Sequence, residues 1–164
     1  MGENGAMWYV LRTKPRGEKK LQALLQAWRV WNVLPTYVKV RRASRHIIKT
    51  DMPLFPCYLL ARLDAAERLR VLKTNMTVAI LPLPDARRVL RDVHQAVRAT
   101  KATEDFRLVA PTRAGDAVRI VQGPMKGLSG RVKVVEGKTL LTVNIEAFGS
   151  AIEVQVAPED CIAA

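Results

Sequence analysis

Two histidines are the residues best suited to acid–base or metal chemistry, and they lie far apart in the chain. His46 lies in a basic segment in which Asp51 is the nearest carboxylate, and His94 follows the apolar Val93. Neither belongs to an HExxH motif or to a Cys/His group with metal-ligand spacing. A lone histidine is more often structural than catalytic. The sequence therefore predicts no enzyme activity, no catalytic residue and no metal site.

The cysteines and the glycine-rich segment give no further chemistry. Cys57 and Cys161 are too far apart for a Cys-x-x-Cys pair, and a reducing cytosol disfavours a disulfide between them, so we expect small apolar side chains. Gly123–Gly127 (GPMKG) resembles phosphate-binding glycine loops, but it lacks the GxxxxGK[ST] spacing and precedes a strand instead of a helix. The sequence predicts a turn there and no cofactor.

The net charge of +12 is unevenly distributed along the chain. Residues 1–100 hold 19 Lys or Arg and 7 Asp or Glu, whereas residues 114–164 hold 5 and 6. This asymmetry predicts that the N-terminal part faces a polyanion or an acidic protein and that the C-terminal part has another partner. A basic surface that serves solubility alone is the alternative.

Two basic clusters are candidates for contact with a nucleic-acid backbone. Each neutralised phosphate steepens the salt dependence of binding by about 0.9 in log–log slope, whereas a merely solvated face predicts a weak salt response. The first cluster lies where the first predicted strand meets its helix, and the second lies in a predicted hairpin. The clusters are Arg12, Lys14, Arg16, Lys19 and Lys20, and then Arg41, Arg42, Arg45 and Lys49.

The elements that position these residues follow from hydrophobic periodicity. Residues 7–13, 35–42, 56–63 and 78–83 are typical of strands. A helical stripe begins near Glu18, and Asp64 and Asp85 are placed to cap two further helices. This order predicts an α+β fold over residues 7–100, with an antiparallel sheet flanked by helices. The first helical stripe comprises Leu21, Leu24, Leu25, Trp28 and Trp31.

The C-terminal segment has a different pattern. Residues 101–113 have no periodicity and contain Pro111, which predicts a linker. Residues 114–164 carry short alternating strands separated by glycine turns, as expected of a small SH3-like β-barrel.

Four aromatic residues on charged strands, Trp8, Tyr9, Phe55 and Tyr58, are candidate interface anchors. The alternative is core packing, and we expect Trp8 and one tryptophan of the first helix to be buried.

Two sets of motifs resemble the NusG family of transcription elongation factors. The N-terminal set is Trp8-Tyr9, Leu34-Pro35-Thr36 and Pro53–Tyr58 (PLFPCY), which is similar to the family's FPGY signature and closely resembles the RfaH-type paralogue. Cys57 stands where the family usually has glycine. The C-terminal set resembles a KOW domain, and it comprises Gly115–Arg119, Gly123–Gly130, Phe148-Gly149 and Ile152–Val154.

The resemblance implies a protein without enzymatic activity that binds the clamp coiled coil of RNA polymerase and suppresses pausing. It implies an NGN-like domain (7–100), a linker (101–113) and a KOW barrel (114–164). Phe148 matches the aromatic residue through which the KOW domain binds Rho or a ribosomal protein. Lys14, Arg16, Lys19 and Lys20 of the first basic cluster would face the non-template DNA strand, and nascent RNA is a further candidate. The implied polymerase patch comprises Tyr9, Pro35, Phe55, Tyr58 and Leu60.

Localisation and assembly follow from simpler features. No apolar run approaches the roughly 20 residues that span a bilayer, and residues 1–6 (MGENGA) lack the features of a signal peptide. We therefore expect a cytoplasmic protein with no membrane partner, and we expect a monomer. A KOW-type RNA- or ribosome-binding protein that never contacts polymerase is the alternative function.

Overall fold

The computed structural model describes residues 5–164, so residues 1–4 of the MGENGA stretch lie outside the described part. Backbone contacts divide the chain into two compact units between Ala86 and Arg87. The first unit contains β1 (Met7–Thr13), α1 (Glu18–Ala27), β2 (Asn32–Val33), β3 (Thr36–Arg42), β4 (Ile47–Pro53), β5 (Tyr58–Leu63), α2 (Ala65–Lys73) and β6 (Thr77–Pro82). The second contains α3 (Ala86–Ala102, whose first residue closes the first unit), β7 (Phe106–Val109), β8 (Asp116–Ile120), β9 (Ser129–Val135), β10 (Lys138–Ile145), β11 (Ser150–Gln155) and β12 (Cys161–Ala163).

The N-terminal unit is built on an antiparallel sheet with the strand order β2-β5-β1-β6. Side chains alternate between the two faces of a strand, so Leu11 of β1 and Leu59 of β5 lie on the same face. Leu21 and Leu25 of α1 pack against that face in one buried cluster. The mixed α/β fold with antiparallel sheets that the sequence predicts is confirmed.

The first helix ends earlier than its hydrophobic stripe suggests. Arg29 adopts the left-handed conformation (φ 58°), and its N–H donates to Gln26. The N–H of Val30 donates to the carbonyl of Leu25, which completes a Schellman motif. Trp31 therefore lies beyond α1, and the prediction that it continues the helical stripe is wrong.

The second helix begins as predicted. The Asp64 carboxylate accepts a hydrogen bond of 2.7 Å from the Glu67 N–H, and the Glu67 carboxylate accepts one of 2.9 Å from the Asp64 N–H. This reciprocal capping box satisfies backbone donors that the first turn of a helix leaves without partners.

The C-terminal unit contains a six-stranded antiparallel sheet with the order β12-β8-β9-β10-β11-β7. Its core includes Leu141, Val143 and Ile152. β7 lies within residues 101–113, where the sequence predicts a linker without regular structure. It forms because Phe106–Val109 pair with Ala151–Val154, a partnership that local periodicity does not encode. The barrel and the division into 7–100, 101–113 and 114–164 stay predictions.

Helix α3 contacts the glycine-rich loop inside the second unit. The Arg98 guanidinium donates a hydrogen bond of 2.7 Å to the Lys126 carbonyl. The Ser129 N–H donates one of 2.8 Å to the Gln95 side-chain oxygen. These bonds link the helix to the turn predicted around Gly123–Gly127.

Candidate functional site

A tight turn connects the end of β4 to β5 and positions the residues of the predicted patch. The Tyr58 N–H donates to the Phe55 carbonyl at 3.2 Å, and Cys57 has φ 70°. Proline at the second position and a positive φ at the third are typical of a type II turn. Glycine usually occupies that third position, so the positive φ of Cys57 explains why the signature has a glycine there.

Two further hydrogen bonds attach the turn to the sheet and to α1. The Glu18 carboxylate accepts a hydrogen bond of 2.6 Å from the Cys57 N–H, and the Cys57 carbonyl accepts one of 2.8 Å from the Thr13 N–H. Glu18 is the first residue of α1 and is only 5% exposed. A charge-assisted bond in such a buried position is among the stronger hydrogen bonds of a protein. The turn is therefore held from two sides.

Three of the five predicted patch residues come together at this turn. The Leu54 N–H donates a hydrogen bond of 2.8 Å to the Pro35 carbonyl, which brings the segment before β3 next to Phe55. Pro35 and Phe55 are buried, and Tyr58 is half-buried. Tyr58 is thus the member of this group with the most accessible side chain.

The remaining two patch residues lie on opposite faces of the sheet. Tyr9 is opposite Ala61 and packs against the buried cluster beneath α1, whereas Leu60 is opposite Val10. Leu60 is 0% exposed, and the Arg68 guanidinium lies 5.9 Å from the centroid of the Tyr9 ring. Sequence reasoning could not separate these faces because it had no strand register. The role of each residue in binding stays a prediction.

The first basic cluster surrounds the junction of β1 and α1. Lys14, Arg16, Lys19 and Lys20 are all exposed. The Lys19 ammonium donates a hydrogen bond to the carbonyl of Asp51 in β4. This contact brings the first cluster to the base of the hairpin that carries the second.

The second cluster lies at the far end of a two-stranded ribbon formed by β3 and β4. Arg41 is opposite Ile48 and Arg42 is opposite Ile47, so the two arginines lie on different faces. Arg45 lies in the connecting loop, and all three arginines are exposed. Seven residues at about 3.3 Å each make a ribbon of roughly 20 Å, so the clusters span an extended basic surface.

Phe148, the predicted contact of the C-terminal unit, is buried in a short 3-10 turn (Glu146–Phe148). Its side chain is 2% exposed, and Gly149 follows with φ 58°. The left-handed glycine lets β11 begin directly after the turn.

The candidate chemical groups are divided between the two units, with one histidine and one cysteine in each. His46 and His94 are exposed on the ribbon and on α3. Among residues 5–164, no group of three His, Cys, Asp or Glu side chains is arranged to hold a metal ion.

Burial raises the pKa of the Cys161 thiol, and the carboxylates of Asp160 and Glu159 raise it further. No helix in the described part of the chain is long and apolar enough to cross a membrane.

Comparison with known families assigns the N-terminal part of the chain. A model of the family described as transcription termination factor nusG matches residues 6–111, more than half of the protein. The chain belongs to the NusG family. NusG-family proteins are transcription factors that bind RNA polymerase, and they are not known as enzymes. No curated protein matches the chain.

The NusG match covers the whole N-terminal sheet, α3 and β7. It therefore includes the turn at Cys57 and both basic clusters. The glycine loop and Phe148 lie beyond it.

Sequence reasoning missed two residues of interest. It marks Glu18 only as the start of a helix and assigns Trp31 to the apolar stripe of that helix. The helix ends before Trp31 because Arg29 adopts a positive φ, and no residue type in the local sequence indicates that conformation.

Proposed function

We propose that this NusG-family protein is a transcription elongation or antitermination factor of the RfaH type. Its N-terminal unit binds the clamp coiled coil of RNA polymerase and suppresses pausing. The observation that carries the proposal is the family match over the residues that build the turn at Cys57 and the two basic clusters. A half-buried aromatic residue beside a rigid, basic surface is suited to docking, because charge speeds encounter while the buried aromatic supplies affinity.

Tyr58 is the proposed anchor of the polymerase contact. It follows a turn held by Glu18 and Thr13, so the backbone that carries the ring is already ordered when a partner binds. Pro35, Phe55 and Leu60 are buried and contribute by shaping the surface around it. Tyr9 lies on the other face of the sheet, so its contribution is separable from that of Tyr58 by mutation.

The basic clusters are proposed to contact the non-template DNA strand or nascent RNA. Lys14, Arg16 and Lys20 are exposed near the base of the ribbon, where Lys19 contacts Asp51. Arg41, Arg42 and Arg45 lie at its far end. Because the ribbon that joins the two clusters is only roughly 20 Å long, a single strand can contact both at once. Neutralising several phosphates in this way predicts a steep salt dependence.

The C-terminal unit is proposed to recruit a second partner, Rho or a ribosomal protein, as KOW domains do. Residues 114–164 carry a net charge close to zero, so this contact differs in its electrostatics from the contact of the basic N-terminal surface. Phe148 is 2% exposed, so a direct contact requires its 3-10 turn to open. Residues 7–100 and 101–113 are proposed as the polymerase-binding domain and the linker.

Transcription in vitro on a template with a known pause site tests the proposal. We expect the full chain to shorten the pause of purified RNA polymerase in a concentration-dependent way, and an unchanged pause contradicts the elongation activity. A pull-down with purified polymerase at moderate salt separates the two candidate functions. Retention supports the polymerase-binding factor, whereas no retention favours the KOW-type RNA- or ribosome-binding protein.

A further inference from the structure

Trp31 is an exposed tryptophan in a chain with three tryptophans. Its side chain is 75% exposed, whereas Trp8 and Trp28 are half-buried. Trp28 packs against the core, with the Arg70 guanidinium 4.0 Å from its ring centroid. An exposed indole leaves a large apolar area in contact with water, and such area commonly marks a binding surface.

The strand register places Trp31 in a row with two other residues. The Arg62 N–H donates a hydrogen bond of 2.9 Å to the Trp31 carbonyl, which extends the pairing of β2 with β5 by one residue beyond Asn32. On the other side of β5, Arg62 is opposite Trp8 of β1. Residues opposite one another project from the same face, so Trp8, Arg62 and Trp31 lie across three neighbouring strands. We call these residues the tryptophan row.

The tryptophan row lies on the face of the sheet opposite to α1 and α2. Ala61 and Leu63, which alternate with Arg62 along β5, pack in the buried cluster with α1. The row therefore belongs to the other face of the sheet, which is buried at Val10 and Leu60 and open to solvent at its edge, at Trp31. The backbone positions of Trp8 and Trp31 are separated by two strand spacings, or about 10 Å, with Arg62 between them.

The charge of the N-terminal unit favours an anionic partner. Residues 5–86 carry fifteen Lys or Arg and five Asp or Glu. Three of those five acids are engaged with the backbone: Glu18 bonds to Cys57, and Asp64 and Glu67 form the capping box. A surface that combines an exposed aromatic ring with excess positive charge is suited to unpaired nucleic acid, because the ring stacks on a base while cations hold phosphates.

We propose that the tryptophan row is a binding surface for single-stranded RNA, with an unpaired base stacked on Trp31. Aromatic side chains on a sheet surface are an established means of binding unpaired RNA bases, and the Arg62 guanidinium offers donors to base edges and to the ribose 2′-hydroxyl. The proposal deepens the nucleic-acid contact proposed above and adds residues outside both basic clusters. RNA binding by the tryptophan row requires no polymerase. The RNA proposal can therefore fail while the polymerase contact is confirmed, and the polymerase contact can fail while RNA binding is confirmed.

Fluorescence anisotropy with the full chain and a labelled 15-nucleotide oligo(U) RNA tests the proposal. Trp31→Ala is expected to weaken binding about 5- to 150-fold, which corresponds to the loss of one stacked base. Trp31→Phe retains a ring and is expected to recover most of the affinity. Val78→Ala is the matched control, because Val78 is 60% exposed on β6 and lies outside the row.

Two further measurements separate stacking from general charge attraction. RNA is expected to quench the tryptophan fluorescence of the wild-type protein, and Trp31→Phe is expected to lose part of that quenching. Equal RNA affinity for the wild-type and Trp31→Ala proteins overturns the proposal. So does binding of oligo(dT) with no binding of oligo(U), or quenching that Trp31→Phe leaves unchanged.

Discussion

The carboxylate of Glu18, at the start of α1, accepts a 2.6 Å hydrogen bond from the backbone N–H of Cys57, 39 residues later in the chain. This bond joins the basic β1–α1 junction to the turn that precedes Tyr58. In the sequence, Glu18 resembles any acidic residue in the first turn of a helix. In the structure, its side chain links the two surfaces on which the proposed function depends.

The first prediction concerns that bond. Glu18→Ala is expected to lower the free energy of unfolding by about 2–3 kcal/mol, because it removes a charged acceptor and leaves the Cys57 N–H unpaired. Glu18→Gln keeps a neutral acceptor and is expected to lose only about 1 kcal/mol. Urea denaturation of both variants measures these values. Equal stability of the wild-type and Glu18→Ala proteins would show that the bond contributes nothing.

The second prediction concerns the conformation of Cys57. Cys57→Gly is expected to raise the free energy of unfolding by about 0.5–1 kcal/mol, because glycine adopts φ 70° without the steric penalty of a Cβ atom. Cys57→Ala retains the Cβ atom and is the matched control, with no gain expected. Denaturation midpoints compare the two variants, and a glycine variant less stable than the alanine variant refutes the argument.

The third prediction concerns the arginines of the ribbon. Replacement of Arg41, Arg42 and Arg45 by serine is expected to reduce the slope of log affinity against log salt for a nucleic-acid oligomer. The reduction is roughly 0.7–0.9 for each phosphate that the variant no longer neutralises. Binding titrations between low and physiological salt measure the slope.

The control for the ribbon removes the same number of charges from the C-terminal unit. Arg107, Arg119 and Lys138 are exposed there, and their replacement by serine is expected to leave the slope close to that of the wild type. Equal slopes for the two triple variants would argue against a nucleic-acid contact at the ribbon.

The fourth prediction concerns Cys161. A raised pKa lowers the thiolate fraction at any pH below it, so alkylation of Cys161 by iodoacetamide at pH 8 is expected to be slower than that of a cysteine peptide. The Glu159→Gln/Asp160→Asn double variant is expected to react faster than wild type, because two negative charges are removed. It is still expected to lag behind the peptide, since burial is the larger cause of the shift. Mass spectrometry across a pH series measures the rates, and a wild-type rate equal to that of the peptide contradicts the prediction.

Local signals in the sequence predict the elements of the first unit well. The Asp64 cap and the stripe of Leu21 and Leu25 depend on neighbours three or four residues away, and the structure contains both. Periodicity misassigns Trp31 because Arg29 adopts a left-handed conformation that arginine rarely takes. It also misses β7, because this strand is stabilised by pairing with β11, more than 40 residues away in the chain.

The candidate site is less predictable because exposure depends on register and packing. Strand pairing places Tyr9 and Leu60 on opposite faces, and burial removes Phe148 from the accessible surface. Local patterns cannot show that Arg62 lies between Trp8 and Trp31, since the three residues come from three separate segments. The basic clusters are predictable in position, because charged residues in loops and ribbons are seldom buried.

The most direct test is a titration of purified RNA polymerase with the full-length wild-type protein and its Tyr58→Ala variant at moderate salt. We expect specific binding by the wild type and an affinity lowered by about 1–3 kcal/mol in the variant, with cooperative unfolding retained and Val78→Ala unaffected. Absence of wild-type binding, or a Tyr58→Ala affinity equal to that of the wild type, would contradict the proposed polymerase contact.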